Sequence, residues 1–215
     1  MAPPDGPHIL TLDAALSGCS AGVIGAAGVL AERRITGARG QVAELPAMAQ
    51  AVLAQAELRP AQLAMIAVTV GPGSFTGIRA ALSLAHGIAL AAGLPVVGVT
   101  VGEALTVPNI GRAQWVVVDN RRGRVFLDRD GVVGTVALDS LPETVGPVSV
   151  AGDAAVAVAS RLAARGEDVL LLPDRFPTSA GIAIAAQRRM TSGLAGRLAQ
   201  PLYVDPPEAR PGGRA

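Results

Sequence analysis

The feature that most constrains this chain is a strand, a turn, a helix and a second strand in close succession. Leu63 to Val70 is a continuous run of apolar and β-branched residues, as expected of a strand covered on both faces. A glycine-rich turn leads into a helix at Thr76 to Ala92, and Gly93-Leu94-Pro95 ends that helix and opens a buried strand at Leu94 to Val99. Two buried strands joined through a helix run parallel in one sheet, which predicts an α/β fold.

The same order of elements occurs twice along the chain. The other strands are predicted at His8 to Asp13, Ser20 to Gly25, Val29 to Ile35, Gln114 to Asp119, Arg124 to Asp128, Val132 to Leu138, Val148 to Ala151 and Val169 to Leu172. The other helices are predicted at Gln41 to Leu58, kinked or started by Pro46, at Asp153 to Arg165 and at Ser179 to Met190. We therefore expect two tandem βββαβα lobes, residues 1–107 and residues 108–215 with a C-terminal tail, separated near Thr106 to Arg112.

This element order is similar to that of the actin, sugar kinase and Hsp70 (ASKHA) superfamily, in which ATP binds between the lobes. The similarity concerns the fold and does not by itself give a function. The lobes are small, so the long insertions that close a sugar over ATP are absent.

The composition indicates where in the cell this chain would function and what it would bind. The 215 residues include one cysteine, Cys19, and carry a formal net charge of +1. A lone cysteine forms no internal disulfide, and no basic residue precedes Arg33 as a secretory signal requires. The near-zero charge gives no basic field for tight non-specific binding to nucleic acid. We expect a cytoplasmic protein without a membrane span.

The most specific motif is a glycine-rich loop, GPGSFTGIR, between the buried strand and the helix. Its signature positions are Gly71, Gly73, Ser74, Thr76 and Gly77. Ser74 or Thr76 can cap the helix start, and free backbone N–H groups there could also hold an anion. No Lys follows the last glycine and the sixth position is Thr76, so the loop is neither a P-loop nor a dinucleotide fingerprint. The chemistry alone favours a capped turn over a phosphate site.

The helix after this loop is apolar on nearly every side. Its only internal polar side chains, Arg79, Ser83 and His86, share one stripe at spacings of four and three. Such a helix must be covered nearly all round, and another subunit can cover what the sheet does not.

Several motifs together resemble the TsaB (YeaZ) family. They are the GPGSFTGIR loop with its Ala/Leu-rich helix, LPVVGV from Leu94, EAL from Glu103, the hairpin DNRRGRVF from Asp119, AGDA from Ala151 and PLY from Pro201. The chain departs from the family pattern where Asp13 is followed by two alanines instead of Thr-Ser, at Gln41 in place of His, and at His86 in place of a frequent Lys.

The resemblance implies a two-lobed, non-catalytic partner of TsaD, the threonylcarbamoyltransferase. With the TsaE ATPase, TsaD forms N6-threonylcarbamoyladenosine in tRNAs that read codons starting with A. This chain would have no cofactor of its own, ATP and metal would be held by the partner subunits, and tRNA would be contacted through the complex. Pairing with TsaD, or a homodimer when the chain is alone, would use the helices Gln41 to Leu58 and Thr76 to Ala92. The expected interface residues are Leu45, Met48, Val52, Ile78, Arg79, Leu82, Ser83 and His86.

The sequence lacks the residue patterns that common catalytic sites require. The two histidines, His8 and His86, do not form a metal-binding pair one helical turn apart, and an ordinary surface role is favoured for each. Asp13 is not followed by the glycine-rich phosphate turn of a kinase. Ser74 lies twelve residues from His86, about 18 Å along the helix and too far for a nucleophile and its base.

The residues are also compatible with rival functions. A self-sufficient ASKHA-type phosphotransferase or ATPase that depends on Asp13 is the main alternative, and a protease is a weaker one. Arginines around the predicted hairpin, at Arg112, Arg121, Arg122, Arg124 and Arg129, could also touch tRNA phosphate. Acids in the same region largely balance them, which favours a solvated hairpin.

Overall fold

The computed structural model describes residues 6–37, 41–107, 111–121, 123–192 and 199–205. The strands are β1 (Ile9–Asp13), β2 (Gly18–Gly25), β3 (Gly28–Thr36), β4 (Met65–Gly71), β5 (Val96–Thr100), β6 (Ala113–Asp119), β7 (Arg124–Arg129), β8 (Val132–Ala137), β9 (Val148–Ala151) and β10 (Val169–Leu171). The α-helices are α1 (Leu45–Gln55), α2 (Phe75–Ala92), α3 (Val101–Leu105), α4 (Ala155–Ala164) and α5 (Ser179–Thr191).

The strands form two five-stranded sheets with one plan, in the orders β3-β2-β1-β4-β5 and β10-β9-β6-β7-β8. In each sheet an antiparallel meander of three strands is extended by two parallel strands. The α/β class and the repeated strand order predicted from the sequence are therefore present.

The helices differ from the predicted ones in two places, the start of α1 and the presence of α3. The first helix was predicted from Gln41, but a 3₁₀ turn covers Gln41–Glu44 and α1 begins at Leu45, because Pro46 belongs in the first helical turn. The short α3 was not predicted. Its signal is the pair Thr100 and Glu103, whose side chains each accept a hydrogen bond from the other residue's backbone N–H.

Helix α5 does not belong to the lobe in which chain order placed it. It packs on the first sheet, where Ile182 and Ala186 share a core with Ile9 of β1 and Val97 of β5. Its N-terminus comes so close to β2 that a Cβ on Gly22 would lie 2.3 Å from the Ser179 hydroxyl. The division into lobes of residues 1–107 and 108–215 is thus wrong for α5, because apolar periodicity does not say which sheet a helix covers.

The two lobes share a hydrophobic core through β6. Trp115 and Val117 pack with α4 inside the second lobe, whereas Val116 and Val118, on the opposite face, join the core of the first lobe. Strand β6 is therefore covered on both faces, and apolar packing crosses the lobe boundary. The predicted boundary residues at 108–110 and Arg122 of the hairpin lie outside the described residues.

Helix α2 is long and apolar enough to cross a membrane by length and composition, the one such helix among residues the structure describes. One third of it is buried, and that part packs on the first sheet, chiefly on β4. Packing on the sheet accounts for the apolar side chains of that face.

Candidate functional site: helix α2, its loop and the inter-lobe cleft

The signature loop is a capped turn packed against the backbone that follows β1. The Ser74 hydroxyl oxygen accepts a hydrogen bond from Gly77 N–H at 3.2 Å, so Ser74 is the helix cap. A Cβ on Gly73 would lie 2.0 Å from the Ala15 carbonyl oxygen, and a Cβ on Gly77 2.0 Å from the Ala14 carbonyl oxygen. These carbonyl oxygens crowd the start of α2, where an anion would have to bind. The structure thus agrees with the capped turn that the sequence favours.

Two small pockets flank this loop in the cleft between the lobes. One, of about 200 Å³, lies beside Ser17, Gln41 and Thr76. The other, of about 260 Å³, is bordered by Phe75, Asp119, Asn120, Phe126 and Asp153, and Arg121 lines both. They are two open depressions lined by both polar and apolar groups rather than one deep cavity.

Asp13, the acid on which the rival kinase hypothesis depends, is not among the residues lining either pocket. Its side chain is buried and accepts hydrogen bonds from the Thr69 hydroxyl at 2.6 Å and from Ala15 N–H at 3.0 Å. Burial raises the pKa of Asp13 above its ordinary value, and these two donors partly offset that effect. Ser20 pairs with Asp13 across the sheet, and its hydroxyl is buried without a partner among the described atoms.

Two acidic residues of the second lobe, Asp119 and Asp153, stabilise a turn at the end of β6. Asp153 accepts a hydrogen bond from Asp119 N–H at 2.9 Å, and Asp119 accepts one from Arg121 N–H at 2.7 Å. Burial raises the pKa of Asp153, and the nearby Asp119 carboxylate raises it further, against the lowering effect of its backbone hydrogen bonds. Both carboxylates stabilise the backbone around the β6 end, so this edge of the cleft is a structural turn.

Five of the eight predicted interface side chains lie in the chain's own core. Leu45, Met48, Val52, Ile78 and Leu82 are each at most 6% exposed and pack together against the first sheet. They cannot contact a partner in this fold, which corrects the prediction for these five. The reason is that the most regular apolar stripe of each helix is the face that covers the sheet.

The outward face of α2 presents a different apolar surface, which we call the α2 groove. It has a volume of about 580 Å³ and is lined by Arg59, Pro60, Ala61, Ser83, Leu84, Gly87, Ile88, Ala91 and Ala92. Leu90 stands on the same helix with 88% of its surface exposed. Of the predicted interface residues only Ser83 lines this groove. Small and apolar residues occur on nearly every side of α2, so the sequence pattern does not show which side is exposed.

The other two predicted residues on α2, Arg79 and His86, meet the chain's own C-terminal segment, residues 199–205. Arg79 donates a hydrogen bond to the Tyr203 hydroxyl at 2.6 Å, and a His86 ring nitrogen lies 2.9 Å from the Ala199 carbonyl oxygen. Leu202 N–H donates to the Val70 carbonyl at 2.8 Å. This segment therefore forms one flank of α2, opposite the groove.

The remaining candidate residues lie in different surroundings. His8 is only 3% exposed, so the surface role favoured for it is wrong, whereas His86 is exposed. Arg112 is paired with Asp168 at 2.7 Å, and the Arg129 guanidinium lies 5.9 Å from the Trp115 ring, so these two arginines have partners within the chain. Within the described part of the chain, no three His, Cys, Asp or Glu side chains group as metal ligands.

Sequence comparison now places the chain. A model of the family described as TsaD, tRNA N6-adenosine threonylcarbamoyltransferase, matches residues 30–171. The chain belongs to this family. The matched residues run from β3 to the end of β10 and include the loop, α2 and the α2 groove.

The relatives that match the chain differ in length. An uncharacterized protein of Mycobacterium tuberculosis is 33% identical over 216 residues, covering 94% of this chain and 94% of that protein. An uncharacterized protein of Mycobacterium leprae is 32% identical over 94% of this chain, and the chain spans only 56% of its length. A tRNA N6-adenosine threonylcarbamoyltransferase of Paracoccus denitrificans is 45% identical over 71 residues, which are 32% of this chain and 20% of that enzyme.

Solved structures give the fold. YeaZ from Pseudomonas aeruginosa superposes with a TM-score of 0.74 at 20% identity, over 92% of this chain and 99% of that one. A second P. aeruginosa protein, described as similar to peptidase YeaZ, gives 0.75 at 19% identity over 93% and 100%. The predicted α/β fold with two similar sheets is thereby confirmed, and it is the fold of the YeaZ structures.

Proposed function

We propose that this chain is a non-catalytic partner of a TsaD-type threonylcarbamoyltransferase, active in the cytoplasm in forming N6-threonylcarbamoyladenosine in tRNAs that read codons starting with A. It binds the catalytic subunit as a heterodimer and activates it, with the TsaE ATPase as the third protein. ATP and metal belong to those partners, and tRNA is reached through the complex.

The observation that carries this proposal is the α2 groove. An apolar groove of about 580 Å³, on a helix that also carries the 88% exposed Leu90, is surface that a protein partner can cover. Ser83, Gly87 and Ala91 recur every four residues along it, and their small side chains allow the backbone of a second helix to come close. The similarity in fold to the YeaZ proteins supports a TsaD-type enzyme as that partner.

The cleft supports the non-catalytic part of the proposal. A helix N-terminus binds phosphate only where its backbone N–H groups are free, and the rival kinase hypothesis depends on Asp13. Here Asp13 is buried beside Thr69, and the α2 N-terminus is closed by Ser74 and by the carbonyl of Ala15. These features support a role in which another protein performs the chemistry.

The test uses Gly87, where an added Cβ would meet no atom within 4 Å of the fold. Gly87→Gln fills the α2 groove without disturbing the core, and it removes a helix-weakening glycine worth about 1 kcal/mol. We expect its thermal midpoint to be equal to or above that of the wild type. Its affinity for the TsaD-family enzyme of the same genome, measured by calorimetry, should fall at least tenfold.

Gly134→Gln is the matched control, because Gly134 lies on β8 and also has open space around its Cβ position. It should bind like the wild type. Unchanged binding by Gly87→Gln would remove the groove from the interface and with it the basis of the proposal.

A further inference from the structure

Two aromatic side chains stand exposed together at the N-terminal end of α2. Phe75 is 58% exposed and Tyr203 59% exposed, and their ring centroids are 6.4 Å apart at an interplanar angle of 43°. Phe75 is the first residue of α2, whereas Tyr203 comes from the C-terminal segment. Only 2% of this chain's residues are aromatic, so two neighbouring exposed rings are an unusual use of them.

Arg79 holds this pair in place. Its guanidinium carbon lies 3.6 Å from the Phe75 ring centroid, and one of its nitrogens donates to the Tyr203 hydroxyl. Among the described residues Tyr203 is the one acceptor found for Arg79, and the side chain is exposed. Several N–H donors of the guanidinium fork are therefore turned to solvent, where they can pair with a carboxylate.

A small apolar pocket opens between the two rings. It has a volume of about 170 Å³, and its walls include Pro72, Ile78, Phe126 and Leu202. An apolar cavity of about 150 Å³ holds a benzene molecule, so this pocket has room for one aromatic or branched aliphatic side chain.

The pocket is preformed. Leu202 is fixed by its N–H bond to Val70, and Asp205 accepts hydrogen bonds from the Thr135 hydroxyl at 2.6 Å and from the Asn120 amide at 3.4 Å. The C-terminal segment thus joins both lobes and keeps Tyr203 in position. A site that is already ordered loses little conformational entropy when it binds.

We propose that Phe75, Arg79 and Tyr203 form a second anchor site for the protein partner, at the opposite end of α2 from the groove. The occupant is a segment of that partner with one apolar side chain, which enters the pocket, and a neighbouring carboxylate, which pairs with Arg79. Aromatic and arginine side chains of this kind dominate binding at protein interfaces. The walls of the pocket are mainly apolar, which suits a protein side chain better than a phosphate.

This inference rests on the proposed function, since it assigns the same partner to both ends of the helix. The experiment measures Kd for the TsaD-family enzyme of the same genome with Phe75→Ala, Arg79→Lys and Tyr203→Phe. Val132→Ala, which alters an exposed residue of the second lobe, is the control. We expect at least a tenfold loss for Phe75→Ala and for Arg79→Lys, which keeps the charge but loses the stacked plane, and a smaller loss for Tyr203→Phe. The control should stay within twofold of the wild type, and thermal midpoints should barely move.

Three results would overturn the inference. If Phe75→Ala and Arg79→Lys bind like the wild type while Gly87→Gln binds weakly, the anchor site is wrong and the proposed function stands. If these two variants instead lower only the affinity of the free chain for tRNA, the surface recognises RNA. If the wild-type chain does not bind the enzyme at all, the proposed function fails and the anchor site has no partner.

Discussion

At the residue scale, the glycines of α2 serve two different purposes. Gly77 is required by its surroundings, because its Cα faces the Ala14 carbonyl with no space for a methyl group. Gly87, ten residues later, faces open space. The sequence shows two glycines in one helix, and only the packing separates the structural one from the one that lines a surface.

This difference predicts opposite effects of one substitution. Gly77→Ala should lower the free energy of unfolding by about 1–3 kcal/mol, because the new Cβ collides with backbone that cannot move aside cheaply. Gly87→Ala should raise it by about 1 kcal/mol through helix propensity. Urea denaturation of both variants measures the two changes, and equal effects would show that the close approach of α2 to Ala14 is wrong.

Asp13 predicts a specific pH dependence of stability. Because burial raises its pKa in the folded state, the unfolded chain ionises first as pH rises through the ordinary value of 3.8. In the window from that value up to the raised pKa, the folded state binds more protons, and this group makes stability fall with pH. Asp13→Asn retains an oxygen for the Thr69 and Ala15 donors and has no carboxyl to ionise.

We therefore expect the free energy of unfolding of Asp13→Asn, relative to wild type, to increase as pH rises above the ordinary carboxyl pKa of 3.8. Denaturation curves at several pH values give this difference directly. A difference that stays constant with pH would mean that Asp13 ionises as readily in the folded chain as in the unfolded one.

At the element scale, α2 combines a core face and an exposed apolar face. The sequence correctly predicted the loop, the length of the helix and the outward position of Arg79, Ser83 and His86. It did not separate the two apolar faces, because leucine, isoleucine and alanine occur on both. Which face of α2 packs on the sheet depends on the path of the chain from β4 into α2. The periodicity of the apolar residues does not specify that path.

Two leucines on α2 test the assignment of these faces. Leu82 is 5% exposed and Leu90 is 88% exposed. Leu82→Ala should lower the free energy of unfolding by about 2–5 kcal/mol, because it removes buried methyl groups and leaves a cavity. Leu90→Ala should change it by less than about 0.5 kcal/mol. Comparable losses for the two variants would mean that the faces have been assigned the wrong way round.

At the scale of the whole molecule, the two lobes form one packed body. Val116 and Val118 of the second sheet lie in the core of the first lobe, and α5 returns to cover the first sheet. The element order could be predicted from the sequence, since each strand and turn has a local signal. The return of α5 could not, because its apolar residues fit either sheet and the choice is made by packing over long distances.

A shared core predicts cooperative unfolding. Trp115, the only tryptophan, is 4% exposed and reports on the second lobe, whereas circular dichroism reports on helices of both. The two signals should give the same midpoint in urea, as expected of a single transition. A tryptophan transition clearly displaced from that of the helices would show that the lobes unfold separately.

The measurement that tests the central claim most directly is the transfer reaction itself. Labelled threonylcarbamoyl-adenylate would be supplied, and transfer of its threonylcarbamoyl group to tRNA with release of AMP would be followed. The reaction would contain this chain alone, the TsaD-family enzyme and TsaE homologue alone, or all three proteins. We predict no transfer by this chain alone and a large increase when it joins the other two. Transfer by the isolated chain, or full activity of the enzyme and ATPase without it, would contradict the account.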